Sequence, residues 1–277
     1  MERMTIQTID LPSIDYPDFK VEKDAKVKIF VSIPTIGLMH TDAVHSILEN
    51  LIDVVRLEPM GFRVVLAMIP RMLIAQAREL TVEKALELNC DYIFFIDDDM
   101  IIPRGTFQRL YSHKKDIISA LAFERMGDHN PNIYALSTFD KTLHQDIQQL
   151  SFRWKNVCAY KDMRGSDGLI KIDVVGFGCV LINTKIFKGE NKLDPPYFMS
   201  QFQVGEDFFF CWKAKQKGFD IWCDTNCLLG HIGENLIITE KEYETNWRKR
   251  IKQEASDGNG ERSDEGTSKL RSNLDSR

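Results

Sequence analysis

Three consecutive aspartates, Asp97, Asp98 and Asp99, follow a short apolar run and are the residues best suited to chemistry in this sequence. If the extended geometry of that run continues, Asp97 and Asp99 share one face and Asp98 points to the other. Two converging carboxylates repel each other unless a cation lies between them, and oxygen ligands suit a hard divalent ion. The sequence therefore predicts a metal site with open positions for phosphate oxygens, in preference to an acidic turn at a strand end.

A second acidic motif, Gly205-Glu206-Asp207, precedes residues 208–212, four of which are aromatic, and predicts the first turn of a helix. Carboxylates at that position are stabilised by the exposed amides and the helix dipole, so capping alone is one interpretation. We favour catalysis, because a carboxylate fixed at the rim of a pocket can accept a proton from an attacking hydroxyl group. His231, in a glycine-flanked segment, becomes a candidate metal ligand if it lies near the three aspartates.

The elements that must position these residues can be read from the apolar pattern. Residues 28–33, 63–69 and 91–96 predict three buried strands, and residues 44–55 and 72–88 predict the helices between them. Alternating strands and helices, with nearly continuous apolar strands, predict an α/β fold with a mostly parallel central sheet flanked by helices. Ligands bind beyond the carboxyl ends of such strands, where the three aspartates begin.

Composition excludes several classes of protein. The chain has 277 residues and a formal net charge of -5, and no local basic stripe favours a nucleic-acid partner. Its apolar stretches are shorter than the roughly 18 to 20 residues that cross a bilayer, so no transmembrane segment is expected. The first residues do not resemble a secretory signal, and the six cysteines do not form a disulfide framework, so we expect a cytoplasmic protein.

The sequence predicts one domain between two polar ends. Residues 1–26 form an N-terminal arm, and residues 253–277 form a tail whose apolar content is too low to offset the entropy of ordering. The domain spans residues 27–252, with the first half ending at residue 105. The basic run at residues 247–252 leaves a peripheral membrane contact open, although a solvated helix end is the simpler interpretation.

Taken together, these motifs resemble those of glycosyltransferases with the GT-A fold, most of all the inverting family 2 group, from about residue 27 to residue 235. The Asp97-Asp98-Asp99 run resembles the D-x-D motif of the family, and Glu206-Asp207 resembles its E-D motif. The other similar segments are residues 31–35, residues 173–182 on the acceptor side, and Trp222 with residues 231–233.

The resemblance implies a Rossmann-like nucleotide-binding half, residues 27–105, fused to an acceptor half, residues 106–252. It implies transfer of a sugar, as in a hexosyltransferase, from a nucleotide-diphospho-sugar donor to an acceptor hydroxyl, with Mn2+ or Mg2+ as cofactor. For the donor, the resemblance places Pro34 and Thr35 against the nucleobase, Arg78 near the donor, and Asp97 and Asp98 at the ribose or metal-bound water. It places Asp97, Asp99 and His231 at the metal ion. It makes Asp207 the general base, with Glu206 as its supporting neighbour. Glu79 departs from the Asn that many members have there, which leaves the donor contact of Arg78 open.

Two other functions remain as alternatives. Phosphatases and phosphotransferases of the haloacid dehalogenase type also place D-x-D after an apolar strand and would use Asp97 as a nucleophile. In those proteins the motif follows the first strand, whereas two predicted strands precede it here. The other alternative is a non-catalytic nucleotide-sugar-binding module, against which the intact Asp207 argues. The sequence names neither the donor nucleotide, nor the sugar, nor the acceptor.

Overall fold

The computed structural model describes residues 26–136, 154–200, 204–234 and 236–256. Its helices are α1 (Thr41–Val55), α2 (Ile74–Glu87), α3 (Thr106–Ser112), α4 (Tyr160–Met163), α5 (Glu206–Gln216) and α6 (Glu240–Ser256). Its strands are β1 (Val27–Thr35), β2 (Phe62–Pro70), β3 (Tyr92–Ile96), β4 (Met100–Ile101), β5 (Ile117–Leu121), β6 (Ile133–Leu136), β7 (Trp154–Asn156), β8 (Leu169–Ile172), β9 (Val174–Val175), β10 (Cys179–Asn183), β11 (Ile221–Leu228), β12 (Gly230–Ile232) and β13 (Ile237–Ile238).

A seven-stranded sheet in the order β2-β1-β3-β10-β5-β11-β8 organises the domain. Strands β1, β2, β3, β5 and β11 run in one direction, whereas β10 and β8 are antiparallel to their neighbours. The predicted α/β fold with a mostly parallel sheet is therefore confirmed. Strand β10 separates β3 from β5, so that the two halves of the chain contribute to one continuous sheet.

Alternate residues of the central strands pack on opposite faces of this sheet. In β3, Ile93 and Phe95 belong to the apolar cluster that contains α2 and α5 side chains, whereas Phe94 and Ile96 belong to the cluster that contains α1 and α3 side chains. Burial on both faces explains why β3 reads as an uninterrupted apolar run. The helices thus cover both faces, as the sequence predicts.

Helix α1 buries only part of its apolar face, together with two polar residues beside it. Leu48 and Ile52 lie about half exposed, whereas the polar residues Ser46 and Asn50 are buried. The reason is hydrogen bonding: the Ser46 hydroxyl accepts from the Ile102 amide at 3.1 Å, and the Asn50 side-chain amide donates to the Ile102 carbonyl at 3.1 Å. Polar groups that find hydrogen-bond partners can replace apolar ones in a helix interface. Here they fix the chain that follows the three aspartates.

The two ends of the chain are described only in part. Residues 1–25 of the predicted arm and residues 257–277 of the predicted tail lie outside the described residues. Helix α6 continues to Ser256, four residues into the segment predicted as the tail. No helix within the described ranges is both long and apolar enough to cross a membrane.

Candidate functional site

A cleft of about 1070 Å³ opens at the carboxyl ends of β1 and β3, where the parallel-sheet argument places ligands. Five residues predicted from the sequence line it: Pro34, Thr35, Asp97, Asp98 and Asp99. The segment after His231 and the turn that contains Arg125 form other parts of its wall. The cleft thus brings loops from both halves of the chain around the aspartates.

The three aspartates diverge instead of alternating across a strand. Strand β3 ends at Ile96, and the Met100 amide donates to the Asp97 carbonyl at 3.3 Å, so that the chain turns between them. The expectation of continued strand geometry is therefore wrong. Each aspartate has its own partner: the Asp98 carboxylate accepts from the Ile36 amide at 3.3 Å, while Asp97 and Asp99 bind side chains described below.

Asp99 and His231 form a pair at the cleft, with 3.2 Å between Oδ2 and Nε2. Pairing of β12 with β4 positions them, because the Ile232 amide donates to the Asp99 carbonyl at 2.9 Å. Burial raises the pKa of Asp99, but the hydrogen bond and charge of His231 outweigh it and hold that pKa below its ordinary value. Burial likewise lowers the pKa of His231, and Asp99 reverses the effect and raises it. The two side chains are therefore coupled, with His231 13% and Asp99 30% exposed.

The imidazole of His231 is oriented as in a metal-binding histidine. Its Nδ1 lies 2.8 Å from the Phe123 carbonyl oxygen, which can only accept, so Nδ1 carries a proton and Nε2 faces Asp99. A backbone carbonyl on the far nitrogen is the usual outer partner of a metal-binding imidazole. Asp99 and His231 therefore fit a divalent cation.

A complete protein cage for a metal is absent: no group of three or more His, Cys, Asp and Glu side chains suited to a metal ion occurs among the described residues. Two protein ligands fit an ion that receives its other oxygens from substrate phosphates and water, as Mg2+ commonly does. The third predicted ligand, Asp97, accepts hydrogen bonds on both carboxylate oxygens from Arg78. A divalent ion bound by Asp99 and His231 would therefore take most of its ligands from outside the protein.

Arg78 is a buried bridge between the two acidic motifs, with only 2% of its surface exposed. Its Nη2 donates to both Asp97 oxygens at 2.8 and 3.0 Å, and its Nη1 donates to Glu206. The guanidinium carbon lies 5.0 Å from the centre of the Phe177 ring. Burial lowers the pKa of Arg78, but Asp97 and Glu206 more than compensate, and the group stays charged. Arg78 therefore ties α5 to the end of β3.

Glu79, the neighbour of Arg78 on α2, binds a different segment of the chain. Its carboxylate accepts from the Tyr197 amide at 2.8 and 3.0 Å and from the Phe198 amide at 2.8 Å. Two residues later, the Ser200 hydroxyl lies 3.4 Å from Glu206 Oε2. The adjacent side chains of α2 thus hold different segments: Arg78 holds Asp97 and Glu206, and Glu79 holds residues 197–198.

Asp207 lies in the first turn of α5, and its Oδ1 accepts from the Phe208 amide at 2.8 Å. Burial, reinforced by the charge of Glu206 and opposed by that of Arg78, raises the pKa of Asp207 to about 6. A carboxylate with that pKa is ionised at neutral pH and still binds a proton more readily than a solvated aspartate. These properties suit a general base.

Sequence reasoning did not identify Arg125, whose Nη1 donates to Asp99 Oδ2 at 3.1 Å. The sequence does contain a signal for its position, because Arg125 follows the mostly apolar residues 117–123, which include β5. Since β5 is parallel to β11 and shares the direction of β3, the turn after it must lie at the same edge of the sheet.

Comparisons with known proteins support the fold and no more. No family model and no curated protein matches the sequence. The crystal structure of A197 from STIV is similar over 78% of this chain and 92% of that chain, with a TM-score of 0.51 and 16% identity. Two structures of UDP-glucose pyrophosphorylase, one complexed with UDP-glucose and one apo, each match 82% of this chain and 99% and 82% of their own, with TM-scores of 0.39 and 0.36 and identities of 11% and 9%. The first similarity shows a shared fold.

Proposed function

We propose that this protein is a metal-dependent glycosyltransferase that moves a sugar from a nucleotide-diphospho-sugar to an acceptor hydroxyl with inversion of configuration. The main support is the Arg78 bridge, which joins the Asp97 end of β3 to Glu206, the neighbour of Asp207. One buried side chain thus joins the end of β3 to the helix turn that carries the candidate base, although the two are far apart in the sequence. Transfer of a group between two substrates requires that the donor site and the catalytic base lie side by side.

The cleft supplies the donor-binding surface. Pro34 and Thr35 line the wall at the end of β1, where a nucleobase would lie, and Asp98 fixes the loop that follows through the Ile36 amide. The diphosphate would lie beside Asp99 and His231. When bound there, Mn2+ or Mg2+ would stabilise the negative charge that develops on the leaving phosphate.

The chemical step assigned to Asp207 is a proton transfer. As the acceptor hydroxyl oxygen forms a bond to the anomeric carbon, its proton passes to the Asp207 carboxylate. The bond from the anomeric carbon to the phosphate oxygen breaks, and the nucleoside diphosphate leaves with the bonding electron pair. A single displacement from the opposite face inverts the configuration. Glu206, held by Arg78, orients the helix turn that presents Asp207.

The phosphatase alternative is less compatible with this geometry. A nucleophilic aspartate needs a carboxylate oxygen directed at the phosphorus atom. Both oxygens of Asp97 accept from Arg78 instead, at 2.8 and 3.0 Å. Release of phosphate from simple phosphoesters, without any nucleotide sugar, would nevertheless favour that alternative over ours.

A thermal-shift screen tests donor binding directly. Nucleoside diphosphates and nucleotide sugars, each with and without Mn2+, should include a compound that raises the unfolding midpoint only when Mn2+ is present, because ligands stabilise the state that binds them. Binding without turnover in the presence of acceptors would indicate a non-catalytic module. If none of these compounds shifted the midpoint, the proposal that the protein binds a nucleotide sugar would be wrong.

Replacing Asp99 with alanine should weaken Mn2+-dependent nucleoside diphosphate binding at least about 10-fold, because a metal ligand is removed. Isothermal titration at fixed Mn2+ measures the effect. Asp220→Ala is the matched control, since Asp220 pairs with Lys171 and does not line the cleft. Equal affinity of Asp99→Ala and wild type would exclude Asp99 as the ligand.

The pH dependence of transfer should report the titration of Asp207. Since its pKa is raised to about 6, the base is protonated and inactive below that pH and ionised above it. We expect kcat/KM at saturating Mn2+ to rise with pH through about 6 and then level off. Initial rates between pH 5 and 8 measure the profile. A rate that is constant over that range would contradict the assignment.

A further inference from the structure

Arg125 is a cation already present at the candidate metal site. Its Nη1 lies 3.1 Å from Asp99 Oδ2, and the same oxygen lies 3.2 Å from His231 Nε2. In this structure, therefore, a guanidinium neutralises the carboxylate that would bind the divalent ion. Any cation that approaches Asp99 from the cleft meets this ion pair.

The turn that contains Arg125 has a fixed base and an open tip. At its base, the Glu124 amide donates to the Asn130 carbonyl at 2.8 Å, and Arg250 of α6 donates to Asn130 Oδ1 at 3.1 Å. At the tip, the Arg125 side chain is 53% exposed and Met126 is 76% exposed. The Arg125 side chain can therefore change its partner while the base of the turn stays in place.

Charge gives Arg125 a second partner. Among the described residues that line the cleft, Arg125 is the one Lys or Arg, whereas Asp97, Asp98, Asp99 and Glu234 are acidic. A diphosphate entering this acidic surface needs more positive charge than it meets there. The forked guanidinium matches two phosphate oxygens and binds them well.

We propose that Arg125 alternates between two partners. In the metal-free protein it binds Asp99 and competes with the divalent cation for that carboxylate. Once the cation is bound, Arg125 turns to the diphosphate of the donor and becomes a specificity-determining contact for a pyrophosphoryl group. This inference rests on the proposed function for its second half, whereas its first half concerns the metal alone.

The test compares wild type with Arg125→Gln in two titrations. In the first, Mn2+ alone is added, and free Mn2+ is followed by its electron paramagnetic resonance signal. Removing a competing exposed ion pair should tighten Mn2+ binding about 2- to 5-fold. In the second, a nucleoside diphosphate is added at saturating Mn2+, and its affinity should fall about 10- to 100-fold with the loss of charge-assisted hydrogen bonds. Opposite changes in the two affinities are the expected result.

Two further variants make the result specific. Arg104→Gln removes an arginine that is similarly exposed, at 55%, and paired with Asp53 outside the cleft lining, so both affinities should stay at wild-type values. Arg125→Lys keeps the charge and should partly restore diphosphate binding.

Mn2+ binding that is unchanged or weaker in Arg125→Gln would overturn the competition, and unchanged diphosphate affinity would overturn the donor contact. If wild type bound Mn2+ but no nucleoside diphosphate, the proposed function and the donor contact would both be wrong. The Mn2+ titration would still decide whether Arg125 competes for Asp99.

Discussion

Replacing Asp207 with asparagine is expected to lower turnover about 100- to 10,000-fold, the range that loss of a general base produces. Asparagine keeps the side-chain oxygen that accepts from the Phe208 amide, so the first turn of α5 should stay folded. The variant lacks the carboxylate that burial has made more basic. Because the substitution leaves the cleft lining intact, nucleoside diphosphate affinity should remain within about 2-fold of wild type.

The measurement needs both quantities on the same preparation. Single-turnover release of nucleoside diphosphate gives the chemical step, and isothermal titration gives the affinity. The unfolding midpoint of the variant at pH 8 should not fall, since a buried charge is removed. Asp220→Asn, a substitution at a salt bridge outside the cleft, is the control for both assays. Full turnover by Asp207→Asn would show that another group is the base.

Replacing Arg78 with glutamine is expected to reduce the free energy of unfolding by about 3–5 kcal/mol, as when one partner of a buried ion pair is removed. Arg78 is 2% exposed and binds both Asp97 and Glu206, which would remain without their counter-ion. The loss should be smaller at pH 5 than at pH 8, because burial raises the pKa of Asp97 and removal of the opposing Arg78 charge raises it further. Urea unfolding at both pH values measures it.

The matched control is Arg104→Gln, which removes an exposed pair with Asp53 and should change stability by less than about 1 kcal/mol. Arg78→Lys keeps the charge without the fork and should lie between wild type and Arg78→Gln. A loss below about 1 kcal/mol for Arg78→Gln would mean that the bridge does not join the two motifs energetically.

The first half of the fold could be predicted because its signals are local. Residues 28–33, 63–69 and 91–96 are nearly continuous apolar runs, and the bounds of each agree within two residues with those of a strand in the structure. The position of β10 could not be predicted in this way. It lies antiparallel between β3 and β5 through pairing of segments that are far apart in the chain, which no local pattern encodes.

The sequence predicted the types of the candidate site residues more fully than it predicted their arrangement. Acidic residues next to apolar elements are visible in the sequence. The triple aspartate therefore predicted the end of the sheet at which the cleft opens, and Gly205-Glu206-Asp207 predicted the first turn of α5. The turn after Ile96 depends on hydrogen bonds to other segments, so the different partners of Asp97 and Asp99 were not visible. Long side chains are the hardest to place: Arg78 on α2 reaches Asp97, and Arg125 reaches Asp99 from the turn after β5.

The most direct test of this account is the release of nucleoside diphosphate from a panel of nucleotide sugars, followed with candidate acceptors and with water as the acceptor. We predict that wild type releases the diphosphate from at least one donor when Mn2+ or Mg2+ is present, and that Asp207→Asn and Asp99→Ala release it much more slowly. Release that is equally fast in both variants, or in excess chelator, would contradict the assignment of metal and base to these two carboxylates.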